Sequence, residues 1–590
     1  MRVRRIEIQN FRGIKSLDFR IPHDKKFICL IGPGDSSKST IIDAINLTLG
    51  ERWSLSLSDT DFYDAKTDKP IVIRIALADL PAEIRTHALF GLHLSGIDSE
   101  GEWQHDPIDG VEPCVIVELR VESEIEPIWS IYRPGGNDNI PIGSGLRRKF
   151  SVFKVDDRID NHLRWTKSSA LTRLTDSTHG ASGTLSAALV AARIAVNGAI
   201  TPELQILTDD IGARLGELGS GNFSDLKPGL DTSLSTAGGN LALFEGEVPL
   251  TSFGLGTRRL AGIATQEMAS QNKSVILIDE VEYGLEPHRL VHLLKHLRAD
   301  SQLAQVFVTT HSPVAVEQLE SSDLAVVRCV EGAATSQLVP IDLKFAQATL
   351  RGGPSSFLAK KIIVTEGKTE FGLLLSLLEC WDTHAATTDG ATSAANGVAV
   401  ANGNGSVAPY RAAVLAKLGY DVVLFIDNDE RTIDAAATKA SEAGAAVLRW
   451  RKGNATENEM VDAMGAPLLT KLLAVAVEVR VDEATVRSDL LNAGNKGLRI
   501  SGLDVESWIS VDGFTLESAR ALIANTALKS KWFKSVGAGR TLGVFINRYA
   551  GELRQTPFGQ TLLAVKAHIY PQAARAAERG AEAATVPVQS

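Results

Sequence analysis

The alternation of apolar and polar residues predicts an α/β beginning to the chain. RVRRIEIQ at 2–9 alternates with the period of two that is typical of an edge or antiparallel β-strand. FICLI at 27–31 is apolar throughout, as in a strand that is covered on both faces. A Gly-rich turn and a helix from Ser39 to about Leu49 are predicted next. Further strands are predicted at 70–78 and 114–122.

The pattern becomes helical in the middle of the chain and then returns to α/β. Between 165 and 235 the apolar residues recur at three- and four-residue spacing, which predicts a helical insertion that we interpret as a dimerisation arm. Strands are predicted at 274–279 and 304–309. A second α/β series is predicted from Lys360, with a strand, a helix from about Thr369 to Leu378 and a strand at 421–426.

Two later stretches depart from this series. Residues 382–409 are rich in Ala, Gly, Asn, Ser and Thr, which predicts a loop or a poorly ordered insert. Residues 465–530 are predicted to be helical again. The tail from about 573 has few residues that could form a core and is predicted to be frayed.

Composition narrows the class of protein. A length of 590 residues favours two to four domains, and 44% hydrophobic with 22% charged residues is typical of a globular protein. The sequence has no apolar window long enough for a transmembrane helix and no signal-peptide pattern, so we expect a cytoplasmic protein without a membrane partner. The four cysteines stand far apart, which argues against a disulfide framework and a thiolate zinc site. The net charge of −10 excludes a uniformly basic nucleic-acid coat but allows a local basic groove.

The first candidate site is a phosphate-binding loop, GPGDSSKST at 32–40, set between a predicted buried strand and a predicted helix. Gly32 permits the tight turn, Lys38 would reach the β- and γ-phosphates, and Ser39 would offer its hydroxyl to Mg²⁺. Ser37 replaces the second glycine of the pattern, which leaves nucleotide binding predicted but puts fast hydrolysis in doubt. A Gly/Ser turn without a nucleotide is the alternative.

Three further segments have the chemistry of a nucleotide site. The strand SVILI ends in Asp279 and Glu280, an acid that can hold Mg²⁺ through water and one that can orient or deprotonate the attacking water. His311 ends the strand of QVFVTTHSP, where it can contact a γ-phosphate. SFGLGTRR at 252–259 is a Gly-rich turn before a helix, which can meet the phosphates of a nucleotide held by a second subunit.

The joint order of RIEIQNFRGIK, GPGDSSKST, SFGLGTRR, LIDEVEYGLEP and TTHSP resembles the ATP-binding-cassette ATPases of the RecF/SMC/Rad50 type. In that family two heads enclose two ATP molecules, so the resemblance implies a homodimer or a higher homo-oligomer. Glu286 stands where the family often has His. Glu280 would be the catalytic acid. The residues expected to bind ATP and Mg²⁺ are Gly32, Asp35, Lys38, Ser39, Thr40, Ser252, Gly254, Asp279 and His311.

The second candidate site is acidic. A predicted buried strand delivers Glu366, Glu370 follows on the first turn of a helix, and a second strand delivers Asp427 and Asp429. Carboxylates from two adjacent strand ends can converge, and such hard oxygen ligands suit Mg²⁺ or Mn²⁺. A pair of metals would activate water against a phosphodiester. A capped loop is the alternative for Asp-Asn-Asp. Glu457 and Glu459 are either outer metal ligands or a solvated helix start.

This arrangement resembles the TOPRIM fold of topoisomerases, primases and nucleases of the OLD family (overcoming lysogenisation defect). An ABC ATPase followed by TOPRIM is the architecture of that family, which includes the nuclease subunit of Gabija-type phage defence. The resemblance implies catalytic and metal-binding roles for Glu366, Asp427 and Asp429, with Glu370 and the late acids completing a two-metal pattern. The segment KSKWFKSVGAGRTLG, 529–543, resembles the one that carries a basic catalytic residue, which would be Lys534 or else Arg540.

The resemblance implies an ATP-regulated, metal-dependent DNA endonuclease of antiviral defence or DNA metabolism, with a helicase-like or other defence partner in Gabija-type systems. The alternative is an SMC- or RecF-like DNA-binding protein with an inert TOPRIM domain. A topoisomerase or primase is not supported, because no suitable tyrosine and no zinc-binding cysteines are found.

The predicted fold is α/β and multidomain. The predicted domains are an ABC ATPase at 1–164 and 236–358 with a helical insertion at 165–235, a TOPRIM core at 359–465 with a helical insertion at 466–528 and a completion at 529–572, and a flexible tail at 573–590.

Two basic stretches are candidates for binding DNA. Between Arg147 and Arg173 there are eight basic and three acidic residues with Trp165 among them, which fits phosphate contacts on one face and fits a solvated surface segment equally well. The later run of Lys529, Lys531 and Lys534 is the better candidate for guiding DNA to the metals.

Overall fold

The computed structural model describes most of residues 1–164 and 243–571. Between these stretches it describes only 169–171, 173, 191 and 195, so the predicted helical insertion at 165–235 lies almost entirely outside the described residues, as does the tail from 572. The short gaps elsewhere are 52–54, 137–138, 156–158, 246–247, 269–273, 302, 389, 430, 495–498, 501 and 511–512.

The strands confirm the predicted α/β character, with boundaries that shift by a few residues at most in the segments named above. In chain order they are β1 Arg2–Phe11, β2 Ile14–Arg20, β3 Phe27–Ile31, β4 Ile71–Ala78, β5 Ser95–Ile97, β6 Trp103–Gln104, β7 Glu112–Val121, β8 Pro127–Tyr132, β9 Ile140–Pro141, β10 Val152–Val155, β11 Phe244–Glu245, β12 Val248–Pro249, β13 Ser274–Ile278, β14 Leu303–Thr309, β15 Leu324–Val330, β16 Ala333–Leu338, β17 Lys361–Thr365, β18 Val398–Asn402, β19 Asp421–Ile426 and β20 Ala446–Arg449.

The α-helices fall between and after these strands. Those of the described residues are α1 Lys38–Leu49, α2 Ser144–Arg147, α3 Leu255–Met268, α4 Pro287–Ala299, α5 Pro313–Gln318, α6 Ala346–Gly352, α7 Lys368–Thr387, α8 Ala408–Lys417, α9 Asp434–Glu442, α10 Thr456–Asp462, α11 Ala466–Arg480, α12 Glu483–Ala493, α13 Val505–Ser510, α14 Leu516–Lys529, α15 Val536–Arg548, α16 Ala550–Leu553 and α17 Pro557–Ile569. None of them combines the length and the apolar character that crossing a bilayer requires.

The chain forms two compact units. The described residues of the first unit belong to Met1–Leu30, Ser37–Thr310 and Cys329–Thr335. Those of the second unit belong to Ile31–Ser36, His311–Arg328 and Ser336–Ser590.

The first unit combines a parallel and an antiparallel group of strands. In the parallel group, β14 lies between β3 and β13, and β10 pairs with β13. In the antiparallel group, β1 lies between β2 and β4, and β7 lies between β4 and β8. The first strand is therefore antiparallel, as predicted, but it is not an edge strand, because both of its sides are paired. Most of its side chains are buried, Arg4 and Arg5 included, and these two form ion pairs with Glu112 and Asp18.

The second unit contains a four-stranded parallel sheet in the order β18-β17-β19-β20. Its edge strand β18 lies inside 382–409, so the prediction of a loop or a poorly ordered insert was wrong for these residues. The helix α7 also continues to Thr387, beyond the predicted end. Small side chains such as those of VAVAN carry a weak strand signal, and pairing with β17 decides the conformation.

Helices cover this sheet and bury a large apolar core. The prediction that 465–530 is helical is confirmed by α11 to α14. Their apolar faces pack into one cluster with side chains of the sheet and of α7, among them Phe425, Leu377, Leu472 and Ile523. This packing fixes the edge of the sheet at which the acidic residues lie.

Candidate nucleotide site and candidate metal centre

The phosphate-loop candidate has the predicted strand–loop–helix context. β3 is buried along its whole length, and α1 begins at Lys38, whose side chain is buried. Gly32 adopts φ +145°, and a Cβ there would lie 2.3 Å from the carbonyl oxygen of Val327, so this position requires glycine. Asp35 is exposed and Thr40 is half-buried.

Asp279, the acid directly after β13, lies beside α1, the helix that begins with Lys38. The hydroxyl of Ser39 donates to Asp279 Oδ1 at 3.0 Å, and the hydroxyl of Thr309 donates to the same oxygen at 2.6 Å. Ser39 and Asp279 stand 240 positions apart in the sequence, so their pairing brings together the two residues predicted to share Mg²⁺. The residues present fit a Mg²⁺ site, because a hydroxyl and a carboxylate are hard oxygen ligands.

The predicted catalytic acid Glu280 occupies a strained position. Its φ is +47°, in the left-handed region that side-chain-bearing residues rarely adopt, and its side chain is exposed. Its N–H donates to the Thr309 hydroxyl at 2.8 Å, and its carbonyl accepts from the Arg259 guanidinium at 2.9 Å. Two fixed contacts therefore hold the backbone conformation that presents this carboxylate to solvent.

The turn SFGLG opens α3, and Ser252 and Gly254 are both exposed at its beginning. The sequence alone provides no reason for a glycine at position 256, within the first turn of α3. A Cβ at Gly256 would lie 2.5 Å from the carbonyl oxygen of Gly284, so the helix is in backbone contact with the turn after the acid pair. His311 is exposed as well.

Ser37 shows the consequence of replacing the second loop glycine. It adopts φ +69°, which a glycine tolerates without strain and a serine does not, and its Oγ lies close to Gly13.

We expect Ser37→Gly to leave ATP turnover equal or faster and to leave the melting temperature within a few degrees. Relief of about 1 kcal/mol of strain is offset by the greater freedom of glycine in the unfolded chain. Steady-state ATPase rates and thermal melts measure both quantities. A large loss of turnover would mean that the Ser37 hydroxyl itself acts on the nucleotide.

The acidic candidate site lies at the carboxyl ends of two adjacent strands. Glu366 follows β17, and Asp427 follows β19, which pairs with it in parallel. The N–H of Asp427 donates to Glu366 Oε2 at 2.8 Å, so the two strand ends are tied directly. The two strand ends that carry these acids are therefore in direct contact.

Glu370 and Asp427 meet at one buried hydroxyl. Thr456 Oγ1 lies 2.9 Å from Glu370 Oε1 and 2.9 Å from Asp427 Oδ1, and the N–H of Thr456 donates to the same Asp427 oxygen at 3.0 Å. The second oxygen of Glu370 accepts from the N–H of Gly367 at 2.9 Å. Sequence reasoning missed Thr456, because a threonine at the start of a helix carries no signal beyond that of an ordinary helix terminus.

Glu457 and Lys534 complete the cluster. Glu457 is wholly buried, and neither of its carboxylate oxygens accepts a hydrogen bond from another described residue. Its Oε1 lies 3.7 Å from Lys534 Nζ, which is an ion pair but longer than a hydrogen bond. Asp429 is exposed, and its charge acts on Glu366 and Glu457. Lys534 is the cation among these acids.

Burial and mutual repulsion shift the pKa values in this cluster. Burial raises the pKa of Glu366 and Glu457, and it raises the pKa of Asp427 well above the usual range, with Glu370 and Glu366 adding to the shift. Burial alone would lower the pKa of Lys534, but the surrounding carboxylates, Glu457 first, raise it. Acids that are costly to ionise together are typical of a site that a cation neutralises.

Two residues predicted for this site lie elsewhere. Glu459 is two positions from Glu457 on α10 and thus points to the opposite side of the helix, where it accepts from Arg451 at 2.8 Å and from Asn454 at 2.6 Å. It is buried and satisfied, neither an outer ligand of the cluster nor a solvated residue. Arg540 pairs with exposed Glu379 at 2.7 Å, which leaves Lys534 as the cation that faces the acids.

Close helix packing holds the Lys534 segment in place. A Cβ at Gly372 of α7 would lie 2.3 Å from the carbonyl oxygen of Val536, and one at Gly539 of α15 would lie 2.6 Å from that of Thr369. The Thr369 hydroxyl donates to the carbonyl of Phe533 at 3.0 Å. The glycines of VGAGRTLG therefore allow α15 to contact the backbone of the helix that carries Glu370.

The basic run from Arg147 to Arg173 has mostly internal partners among the described residues. Arg147 is buried against the ring of Trp129, and its guanidinium donates to the carbonyl of Gly50 at 2.5 Å. Lys154 pairs with Asp43, and Arg148 and Arg173 pair with Glu51. Arg158 and Lys167 lie outside the described residues. These contacts favour a structural role over a phosphate-binding face.

Much of the first half of the chain is similar to a known family. Residues 27–317 match the family described as "AAA domain, putative AbiEii toxin, Type IV TA system". The matched range includes the phosphate loop, Asp279 and the SFGLG turn, which supports an ATP-binding ATPase domain in this part of the chain. No curated protein matches the chain.

The chain is also similar to solved heads of SMC proteins. The Smc head bound to the C-winged helix domain of ScpA is 13% identical with a TM-score of 0.35, and the match covers 58% of this chain and 98% of that one. The Smc head bound to the C-terminal domain of ScpA from Pyrococcus furiosus is 13% identical with a TM-score of 0.33, covering 57% and 95%. The SMC head domain from Thermotoga maritima is 15% identical with a TM-score of 0.28, covering 58% and 100%.

Proposed function

We propose that the chain is an ATP-regulated, divalent-metal-dependent DNA endonuclease of the OLD type, acting in antiviral defence or DNA metabolism. The observation that carries the proposal is the carboxylate of Glu457. It is wholly buried, its oxygens have no hydrogen-bond donor among the other described residues, and Lys534 is too distant to serve as one. A buried carboxylate that has only one distant ion pair and no hydrogen bond from another residue is unfavourable, and a bound divalent cation would stabilise it.

The donor set supports Mg²⁺ or Mn²⁺. The residues that would hold the metal are Glu366, Glu370, Asp427, Asp429 and Glu457, which offer only carboxylate oxygens. When bound, such ions activate water and stabilise the leaving oxygen of a phosphodiester. Lys534 would place its positive charge against the charge that develops on the phosphate, and α7 and α15 hold it for that role.

The ATPase domain supports regulation by nucleotide. We propose that ATP, held by Lys38, Ser39 and Asp279 of one subunit, meets the SFGLG turn of another, so that the active form is at least a homodimer. A helicase-like defence partner belongs to the same proposal, on the resemblance to Gabija-type systems. The exposure of Ser252 and Gly254 is consistent with contact between subunits.

The test is a supercoiled-plasmid assay with the purified full chain in Mg²⁺, Mn²⁺ or EDTA, with and without ATP. We expect metal-dependent nicking or cutting by the wild type and none by Asp427→Ala, because Asp427 joins both strand ends of the site. Equal cutting by both proteins would reveal a contaminant or misassigned acids. Intact DNA with every metal, substrate and nucleotide state would favour the SMC-like DNA-binding protein instead.

A further inference from the structure

The hydroxyl of Thr456, the buried first residue of α10, contacts three side chains from other parts of the second unit. Thr456 is fully buried, and its hydroxyl lies within hydrogen-bond distance of Glu370, Asp427 and Trp450. Among the described residues no helix N–H is capped by this hydroxyl, so its contacts serve the acids and not the helix terminus.

The Thr456 hydroxyl can donate only one of these hydrogen bonds, so the others must be accepted or made by another group. A threonine hydroxyl has one proton to donate and two lone pairs. One lone pair accepts the indole N–H of Trp450 at 2.7 Å. The N–H of Thr456 already donates to Asp427 Oδ1, so the single hydroxyl proton is needed at Glu370 Oε1. Thr456 then donates one hydrogen bond to each carboxylate, from its hydroxyl to Glu370 and from its N–H to Asp427.

The indole that orients the hydroxyl is itself immobile. The Trp450 ring is buried, stacks on Phe558 at 5.0 Å between centroids and meets Phe425 edge-on at 5.0 Å. Because its N–H direction is fixed by that packing, the hydroxyl of Thr456 has one preferred orientation.

These contacts leave defined oxygens for a ligand. The Thr456 N–H donates to Asp427 Oδ1 at 3.0 Å and the Thr456 hydroxyl oxygen lies 2.9 Å from the same oxygen, so both contacts are on Oδ1 and not on Oδ2. Glu370 is held at both oxygens, by Thr456 and by the N–H of Gly367, so its carboxylate has no freedom to rotate. A metal site with its ligands fixed in advance avoids the entropy of ordering them at binding.

We propose that Thr456 is the positioning residue of the acidic site, which sets the orientation of Glu370 and Asp427 for a divalent cation while Trp450 orients Thr456. The inference rests on the proposed function, since it takes these acids as metal ligands. It predicts that removing the hydroxyl weakens metal binding without removing any ligand.

The test compares Thr456→Val, Thr456→Ser and Thr526→Val with the wild type. Valine has the shape of threonine and lacks the hydroxyl. Thr526 is a matched control, because it is equally buried in the same unit and its hydroxyl donates to the carbonyl of Leu522 in its own helix. Mn²⁺ binding is followed by titration calorimetry on the full chain without DNA, and cleavage kinetics follow separately.

We expect Thr456→Val to weaken Mn²⁺ binding about tenfold or more, as loss of a group that orients a metal ligand does, and to lower kcat with little change in KM for DNA. Thr456→Ser should stay within about threefold of the wild type, and Thr526→Val should bind Mn²⁺ normally. Should Thr456→Val fail to fold, Thr456→Ala takes its place.

The outcomes separate the two proposals. If the wild type binds Mn²⁺ and Thr456→Val binds it equally, the positioning role is refuted and the metal centre stands. A Thr456→Ser variant as weak as Thr456→Val would also refute it, because the hydroxyl would then not be the active group. If the wild type binds no Mn²⁺, the proposed function itself fails.

Discussion

Glu457→Gln is expected to raise the melting temperature of the metal-free protein by a few degrees and to abolish its stabilisation by Mn²⁺. Glutamine keeps the shape and removes a buried charge that has no hydrogen bond from another described residue. Lys534 keeps the attraction of Glu370, Asp427 and Glu366. Burial of a polar group without a hydrogen bond costs on the order of 1–2 kcal/mol, and Glu370 and Asp429 repel the Glu457 charge, so a gain of that size is expected, at about 2–4 °C per kcal/mol. Thermal melts in EDTA and in Mn²⁺ measure both effects.

Glu459→Gln is the matched control for this substitution. It lies on the same helix and is equally buried, but Arg451 and Asn454 satisfy its carboxylate. We expect this variant to melt earlier and to keep the full stabilisation by Mn²⁺. If Glu457→Gln instead melts earlier in EDTA, then Glu457 and Lys534 form a structural ion pair and the assignment of a metal centre is wrong.

The difference between Glu457→Gln and the wild type should also grow with pH. Burial raises the pKa of Glu457 in the folded chain above its ordinary value of 4.5, so folding takes up a proton there. Stability of the wild type then falls as the pH rises from that ordinary value through the raised one. Well below pH 4.5 Glu457 is neutral in both folded and unfolded chains, so the advantage of glutamine should vanish. Melts in EDTA across this range test the sign.

The sequence predicted the part of the acidic site that follows from strand order. In a parallel sheet the residues after adjacent strands share one edge, so two apolar strands that each end in an acid are enough to predict that Glu366 and Asp427 converge. Asp279, 240 positions from Ser39, was instead assigned to the phosphate loop by the order of motifs that resembles the ATP-binding-cassette ATPases, because β14 lies between β13 and β3. Local pattern was sufficient for Glu366 and Asp427 because each follows a strongly apolar strand.

The other residues of the acidic site, and strand β18, depend on tertiary contacts that no local sequence pattern encodes. Glu457 and Glu459 are indistinguishable in ATENEM, and only the packing of α10 decides which one faces the acids and which one faces Arg451. The sequence left Lys534 and Arg540 as alternatives, and the packing of α15 places one of them among the carboxylates. Strand β18 was missed because its small side chains gain their conformation from the neighbouring strand β17.

Lys38→Ala is expected to weaken ATP binding on the order of a hundredfold. Lys38 is the first residue of α1, directly after the loop, and its ammonium would face the β- and γ-phosphates. A charge-assisted contact contributes about 1.5–3 kcal/mol, and each 1.4 kcal/mol is a factor of about ten in affinity. Titration calorimetry with ATP and Mg²⁺ measures the loss, and thermal melts without nucleotide show whether the variant folds.

Lys66→Ala is the control that distinguishes loss of the Lys38 contact with ATP from a general loss of positive charge. Lys66 lies in the same unit, is exposed and pairs locally with Asp64, so its removal changes the net charge equally but leaves the loop intact. We expect this control to bind ATP as the wild type does. Ser39→Ala should in turn reduce the Mg²⁺ dependence of binding, because it deletes the hydroxyl beside Asp279 while the lysine stays. Unchanged ATP affinity in Lys38→Ala would remove the lysine from the nucleotide site, since the backbone of the loop alone would then account for all of the binding.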